Sequence, residues 1–120
     1  MELDEVVRGR YRSRSYAIAE AIRKLLRELR WEWRGEVVCL VTYFYDREKS
    51  SEELRELGHQ YLDVVLSTLH VHASKRVCVE VVALKGDALR IREYVESLRL
   101  IRGVKQVTLS IIPLSSVASV

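Results

Sequence analysis

The sequence holds only three histidines, and all of them fall between residues 59 and 72. Two stand in Leu69-His70-Val71-His72, an alternating stretch that reads as a β-strand. In a strand successive side chains point to opposite faces, so both imidazoles share one side while Leu69 and Val71 share the other. Positions i and i+2 lie roughly 6–7 Å apart along a strand, within reach of a single ion. Cys78 follows six residues after His72, and His59 lies eleven residues before His70. Three imidazole nitrogens and one thiolate sulfur form a complete four-ligand set for a borderline transition metal.

Simpler readings compete. A lone strand histidine is most often a surface or satisfied core residue, and it is the pair with a nearby cysteine that points to a metal. A thiol beside an imidazole is also the raw material of nucleophilic catalysis, but that chemistry needs a third orienting group and an open pocket. A sheet-face thiol among three imidazoles suits a cation better. Cys39, midway along an apolar run, reads as core packing.

For Cys78 to face the same way as the imidazoles, the connection before it must contain an odd number of residues. Opposing His72 to Cys78 leaves five residues between them, and opposing His70 to Cys78 implies a three-residue connection; both lengths are ordinary for hairpins. His59 falls on a preceding helix that packs on its own sheet. The residues alone leave open whether it reaches the same ion or whether a neighbouring subunit supplies it.

The elements that must position these groups follow from periodicity. Leu3, Val6 and Val7 mark a short helix over residues 2–8 closed by Gly9. Ser13 or Ser15 caps a second helix, in which Ile18, Ile22, Leu25 and Leu29 form an apolar stripe that lacks a partner within so short a segment; pairing with a second copy is the expectation. Trp31 to Gly35 reads as a junction. Glu36 to Asp46, rich in β-branched and aromatic residues, predicts a strand. Residues 50–67 predict a helix capped by Ser50 or Ser51, with Leu54, Leu57, Tyr61, Val64 and Val65 on one face. Strands over 68–73 and 76–86, a helix over 88–101, a strand over 104–114 and a Ser-rich tail complete the chain. From residue 36 the order is β-α-β-β-α-β, the split arrangement of a ferredoxin-like fold.

The net charge of +3 is carried unevenly. Residues 1–34 hold nine basic against six acidic side chains, and residues 35–120 hold eleven of each, so the excess lies where a polyanion would be drawn. No apolar run approaches the ~18 residues of a membrane span, and MELDEVVRGR has no apolar signal-peptide core. A cytoplasmic protein with reduced thiols is the expectation.

At this level of detail the sequence resembles a known family. GHQYLD (58–63), STLHVH (67–72), Cys78-Val79-Glu80, ALKGD (83–87) and RGVK (102–105) are similar to the regulatory domain of the nickel-responsive transcriptional regulators, the NikR family. That family's pattern is a histidine, an HVH pair eleven residues on, and a cysteine six residues later. His59, His70, His72 and Cys78 match all four positions, and Thr42 to Asp46 resembles the first regulatory strand. The resemblance implies one Ni(2+) per subunit in a square-planar site completed across a subunit interface, with the helix histidine coming from the second chain. It also implies a homotetramer built through ferredoxin-like, ACT-type domains, a repressor function, and no enzyme activity. Planar N/S ligation suits Ni(II) or Cu(II), so nickel selectivity must come from availability and allostery.

Tyr11 to Ile18 resembles the second-helix start of a ribbon-helix-helix DNA-binding domain. This implies DNA-phosphate contacts from Arg12, Arg14, Ser15 and the free helix amides, and a homodimer through the N-terminal helices. The expected organisation is an α+β chain with a DNA-binding and dimerisation segment over 1–34 and a regulatory domain over 35–120. Three departures stand out. Tyr16 occupies the place of an acid, with Glu20 one turn later; Gly58 replaces a larger polar residue; and the strand that reads bases in the family has no counterpart ahead of the first helix. Base contacts specify sequence while phosphate contacts only position the protein, so readout is expected to be reduced. The second reading is accordingly a metal-binding ACT-like oligomer that has lost sequence-specific DNA binding.

Overall fold

Residues 2–26 and 34–117 are described in a computed structural model of the chain. They fall into two compact units, within residues 1–31 and 32–120. The first holds α1 (Glu2–Val7) and α2 (Arg14–Leu26). The second runs β1 (Glu36–Asp46), α3 (Arg47–Gln60), β2 (Val65–His72), β3 (Val77–Asp87), α4 (Ala88–Leu100), β4 (Val104–Pro113) and a four-residue helix α5 (Leu114–Val117). Leu29 and Trp31–Trp33, which bear on the predicted stripe and junction, lie outside the described residues.

The four strands form one antiparallel sheet in the order β2-β3-β1-β4. This is the ferredoxin-like arrangement, with β3 inserted between β1 and β2. Alternation along β1 sends Val37, Cys39, Val41, Tyr43 and Tyr45 into the core beneath α3 and α4. There they meet Leu57, Leu84, Ile91, Val95 and Leu98. Fully buried aliphatics such as Leu84, Ile91 and Leu98 stabilise by about 1.5–3 kcal/mol each.

The other sheet face is not covered in this way. Register places Leu69, Val81 and Thr42 in one row across it, and Val71, Val79 and Phe44 in the next. Leu40 and Ile112 share that face. Leu69 is 61%, Val71 47%, Ile112 47% and Leu40 43% exposed.

Two sequence expectations need correction here. The helix predicted over 50–67 spans Arg47–Gln60, and β2 begins at Val65 rather than residue 68. Val64 and Val65 continue the helical apolar spacing, yet they are β-branched and enter the core from the link and the strand. The cap of α3 is Asp46, whose carboxylate accepts from the Glu48 and Lys49 amides at 2.9 and 3.4 Å. Ser50 is instead fully buried, and its hydroxyl donates to the Arg102 carbonyl at 2.6 Å. The Ser-rich tail contains α5.

In the N-terminal unit Gly9 follows α1 with φ of 74°, a left-handed turn that glycine adopts without penalty. The Tyr16 amide donates to the Ser13 hydroxyl at 3.1 Å, so Ser13 caps α2 and Ser15 lies within it. No residue of α2 is buried: Ile18, Ile22, Leu25 and Leu26 all stand exposed. Among the described residues no helix is long and apolar enough to cross a membrane.

Candidate metal centre

The β2–β3 hairpin sets the centre. His72 pairs with Cys78 and His70 with Glu80, which leaves five residues between His72 and Cys78. Paired residues share a face, so both imidazoles, the thiol and the Glu80 carboxylate project to one side. On the adjoining strand Tyr45 pairs with Cys78 and Tyr43 with Glu80, extending that row. The turn is held by Ala73 and Ser74 amides donating to the Val77 carbonyl, and by the Arg47 amide donating to the Arg76 carbonyl at 2.7 Å.

His70, His72 and Cys78 each bring one ligand atom to within 4.8 Å of the others. Cys78 is fully buried while both imidazoles are exposed. His72 Nδ1 lies 3.4 Å from Cys78 Sγ, and the two imidazole rings are 5.2 Å apart between centroids. Ligands about 2.0–2.3 Å from a shared ion are separated by about 3–3.6 Å when adjacent and about 4–4.5 Å when opposite. The three donors therefore fit one transition-metal ion with small rotations of the exposed rings. His59 is exposed in the last turn of α3 and does not belong to this group.

A polar network stands behind the donors. Glu80 receives the Tyr43 hydroxyl on one oxygen at 2.9 Å, and its other oxygen lies 3.3 Å from His70 Nδ1. Tyr45 Oη lies 3.4 Å from His70 Nε2, with the two rings edge to face. Burial pushes the Tyr43, Tyr45 and Tyr94 phenols up, Tyr94 to about 12, and the Glu80 carboxylate adds to each shift. The phenols thus stay protonated, and Tyr43 remains a donor to Glu80. A carboxylate facing Nδ1 favours the tautomer protonated there, whose Nε2 lone pair, now facing the Tyr45 hydroxyl, would serve an ion once that hydroxyl turns aside. A cavity of about 250 Å³ lies beside this network, lined by Tyr43, Tyr45, Glu80, Tyr94, Leu54 and Arg55 among others.

Sequence reasoning gave Glu80, Tyr43 and Tyr45 no part in the site. Glu80 was within reach of it: two residues beyond Cys78 on one strand, it must share the cysteine's face. The tyrosines depend on the register of β1 against β3, which spacing does not reveal.

In the N-terminal unit Arg12, Arg14 and Ser15 are all exposed around the start of α2. Arg14 pairs with Asp4 at 3.0 Å, and the Arg12 guanidinium lies 5.0 Å from the Tyr16 ring centroid. The structure thus places these three residues together at one helix end, with two of them engaged locally.

Imidazole and thiol donors converge on one hairpin of a ferredoxin-like domain, an arrangement suited to a transition-metal ion, and comparison with known proteins specifies the family. Residues 38–112 match the family model described as the NikR C-terminal nickel-binding domain. Proteins named as nickel-responsive regulators are similar along most of the chain. That of Methanocaldococcus jannaschii is 38% identical over 115 residues, covering 92% of this chain and 82% of the relative. A second, from Methanothermobacter thermautotrophicus, is 35% identical over 114 residues, covering 91% and 81%. Among solved structures, an uncharacterized protein of Thermotoga maritima shares the fold with a TM-score of 0.55 at 23% identity, covering 66% of this chain and 98% of that one. The chain belongs to the nickel-responsive regulator family, a non-enzymatic class of regulator.

Proposed function

We propose that the protein is a nickel-dependent transcriptional repressor that binds one Ni(2+) per subunit through His70, His72 and Cys78 of one chain and His59 of a partner subunit. The observation that carries this reading is the convergence of two imidazoles and a buried thiol on one hairpin face. The isolation of His59 from that group supports its use in trans. Ni(II) accepts a mixed nitrogen and sulfur donor set readily, and ligands drawn from two chains would make the ion a cross-link between them. Glu80 and Tyr43 would orient His70, and Cys78, shielded from solvent, would ligate as the thiolate.

The remaining assignments follow from unpartnered surfaces. The apolar sheet face bearing Leu40, Leu69, Val71 and Ile112 supports assembly through the regulatory domains, residues 35–120, into a homotetramer. The exposed stripe of α2 supports a homodimer through residues 1–34. Arg12, Arg14 and Ser15, in the segment that holds all the excess positive charge, would meet DNA phosphates. Nickel-bridged regulatory domains would then favour one disposition of the DNA-binding segments, and each site would bias the other. A cytoplasmic location is consistent with this role.

The test is a nickel titration by chelator competition, with thiolate-to-metal absorption as a second readout. Cys78→Ala and His72→Ala are expected to weaken binding by orders of magnitude and to remove that absorption. Mixing His59→Ala chains with His70→Ala chains is expected to restore some sites that neither variant forms alone. Unchanged affinity in Cys78→Ala overturns the ligand assignment, and failure of the mixture to recover any site overturns the shared arrangement.

A further inference from the structure

Gln60, Tyr61 and Asp63, three of the four residues after His59, are all held by one cation on another helix. Arg90 lies in the first turn of α4. Its Nε and one terminal nitrogen donate to the two oxygens of Asp63, both at 3.1 Å. The same terminal nitrogen donates to the Gln60 carbonyl at 2.8 Å. The other donates to Glu93 at 3.3 Å. The guanidinium carbon lies over the Tyr61 ring, 4.1 Å from its centroid, and Tyr61 in turn meets Tyr94 edge to face at 5.5 Å. Gln60 ends α3, Tyr61 is its C-cap, and Asp63 lies two residues further on.

Such contacts contribute little as stability alone, because exposed ion pairs are screened and entropically costly. Their geometric effect is larger. The last carbonyls of a helix have no partners within the helix, so its final turn frays unless something outside holds it. A planar guanidinium that forks a carboxylate, caps a carbonyl and stacks on a ring fixes that turn in position and in rotation. His59 is one residue from the pinned carbonyl and shares its turn.

We propose that Arg90 is a positioning residue for the metal centre: by clamping the end of α3 it fixes where His59 is presented to the ion held by a partner subunit. This rests on the reading that His59 ligates across an interface. A ligand that must reach another chain has no neighbouring donors of its own to guide it, so its aim depends on the rigidity of the turn that carries it. Losing the clamp would lower nickel affinity without altering the three donors on the hairpin.

The experiment compares the full chain with Arg90→Gln, Arg90→Lys, His59→Ala and the double variant Arg90→Gln/His59→Ala. Each is read by chelator-competition affinity for nickel, by thiolate-to-nickel absorption at saturation, and by thermal midpoint. Both Arg90 variants are expected to bind nickel about 10-fold more weakly, with thiolate absorption retained and the midpoint little changed. Arg90→Lys keeps the charge but not the fork, so it is expected to behave like Arg90→Gln. In the His59→Ala background, Arg90→Gln is expected to cause no further loss. Equal losses with and without His59 would show that Arg90 acts through general stability and would overturn the proposal. So would unchanged affinity in Arg90→Gln when His59→Ala binds weakly. If His59→Ala itself binds nickel normally, ligation in trans fails and the role of Arg90 fails with it.

Discussion

Replacing Glu80 by Gln keeps the size and shape of the side chain and removes only its charge and one acceptor. The carboxylate serves two groups at once, the Tyr43 hydroxyl at 2.9 Å and His70 Nδ1 at 3.3 Å. An amide has one acceptor oxygen, and its NH2 group must then face one of the two former donors. If the oxygen stays with the buried Tyr43, His70 loses the acceptor that holds its proton on Nδ1, and the ring is free to turn its lone pair away from the centre. A hydrogen bond to a charged group contributes about 1.5–3 kcal/mol, so nickel affinity is expected to fall about 10- to 100-fold. Chelator competition at constant pH measures this. Tyr43→Phe leaves the carboxylate on His70 in place and removes one donor to it, so a loss of about 1 kcal/mol or less is expected. Affinity within twofold of the parent in Glu80→Gln would refute the orienting role, as would an equal or larger loss in Tyr43→Phe.

Other perturbations address different parts of the molecule. Gly103 has φ of 91°, and a Cβ there would run into Ser50 Oγ, so Gly103→Ala is expected to cost about 1–3 kcal/mol in chemical denaturation; an unchanged midpoint would refute the close packing of Ser50 against the turn at Arg102 and Gly103. Arg90 hydrogen bonds hold the Asp63 carboxyl below its ordinary range. For Asp46, desolvation acts upward but is outweighed by the Glu48 and Lys49 amides and Arg76. Both folded-state values are depressed, so their contribution is present above the ordinary carboxylate range near ~4 and is lost as pH falls below it. Because both pairs are exposed, the thermal midpoint is expected to fall only slightly there on their account; a chemical-shift titration giving ordinary carboxylate values for Asp46 and Asp63 would count against both. Leu69→Lys places a charge in the exposed apolar row and is expected to lower the oligomeric state seen by sedimentation while leaving the fold intact; unchanged mass would show that this face is not used.

Much of this architecture can be read from residue patterns, and the exceptions have physical causes. β1 is legible to its ends because eleven consecutive residues are β-branched, aromatic or strand-compatible, and Asp46 closes it as a cap. The shared face of His70 and His72 follows from alternation alone. Spacing narrows the hairpin register to two odd-numbered connections, and the tertiary contacts of the turn with Arg47 fall with the longer. The end of α3 is illegible because Val64 and Val65 satisfy helical spacing and strand burial equally well; backbone preference, not pattern, separates them. That His59 is not grouped with the other donors cannot be read from sequence distance, since spacing does not give the placement of α3 relative to β2. Arg90 matters only once α4 lies beside the end of α3.

One eight-residue strand, β2, carries imidazoles on one side and the exposed apolar pair Leu69 and Val71 on the other. Because the side-chain repeat of a strand is two, slipping β2 by a single residue against β3 would invert both surfaces together, turning the histidines out and two aliphatics toward the thiol. Deletions or insertions near Ser67, where the pairing with β3 already steps out of regular register, would therefore abolish two properties in one event. Selection on either surface alone is enough to keep the other in alignment.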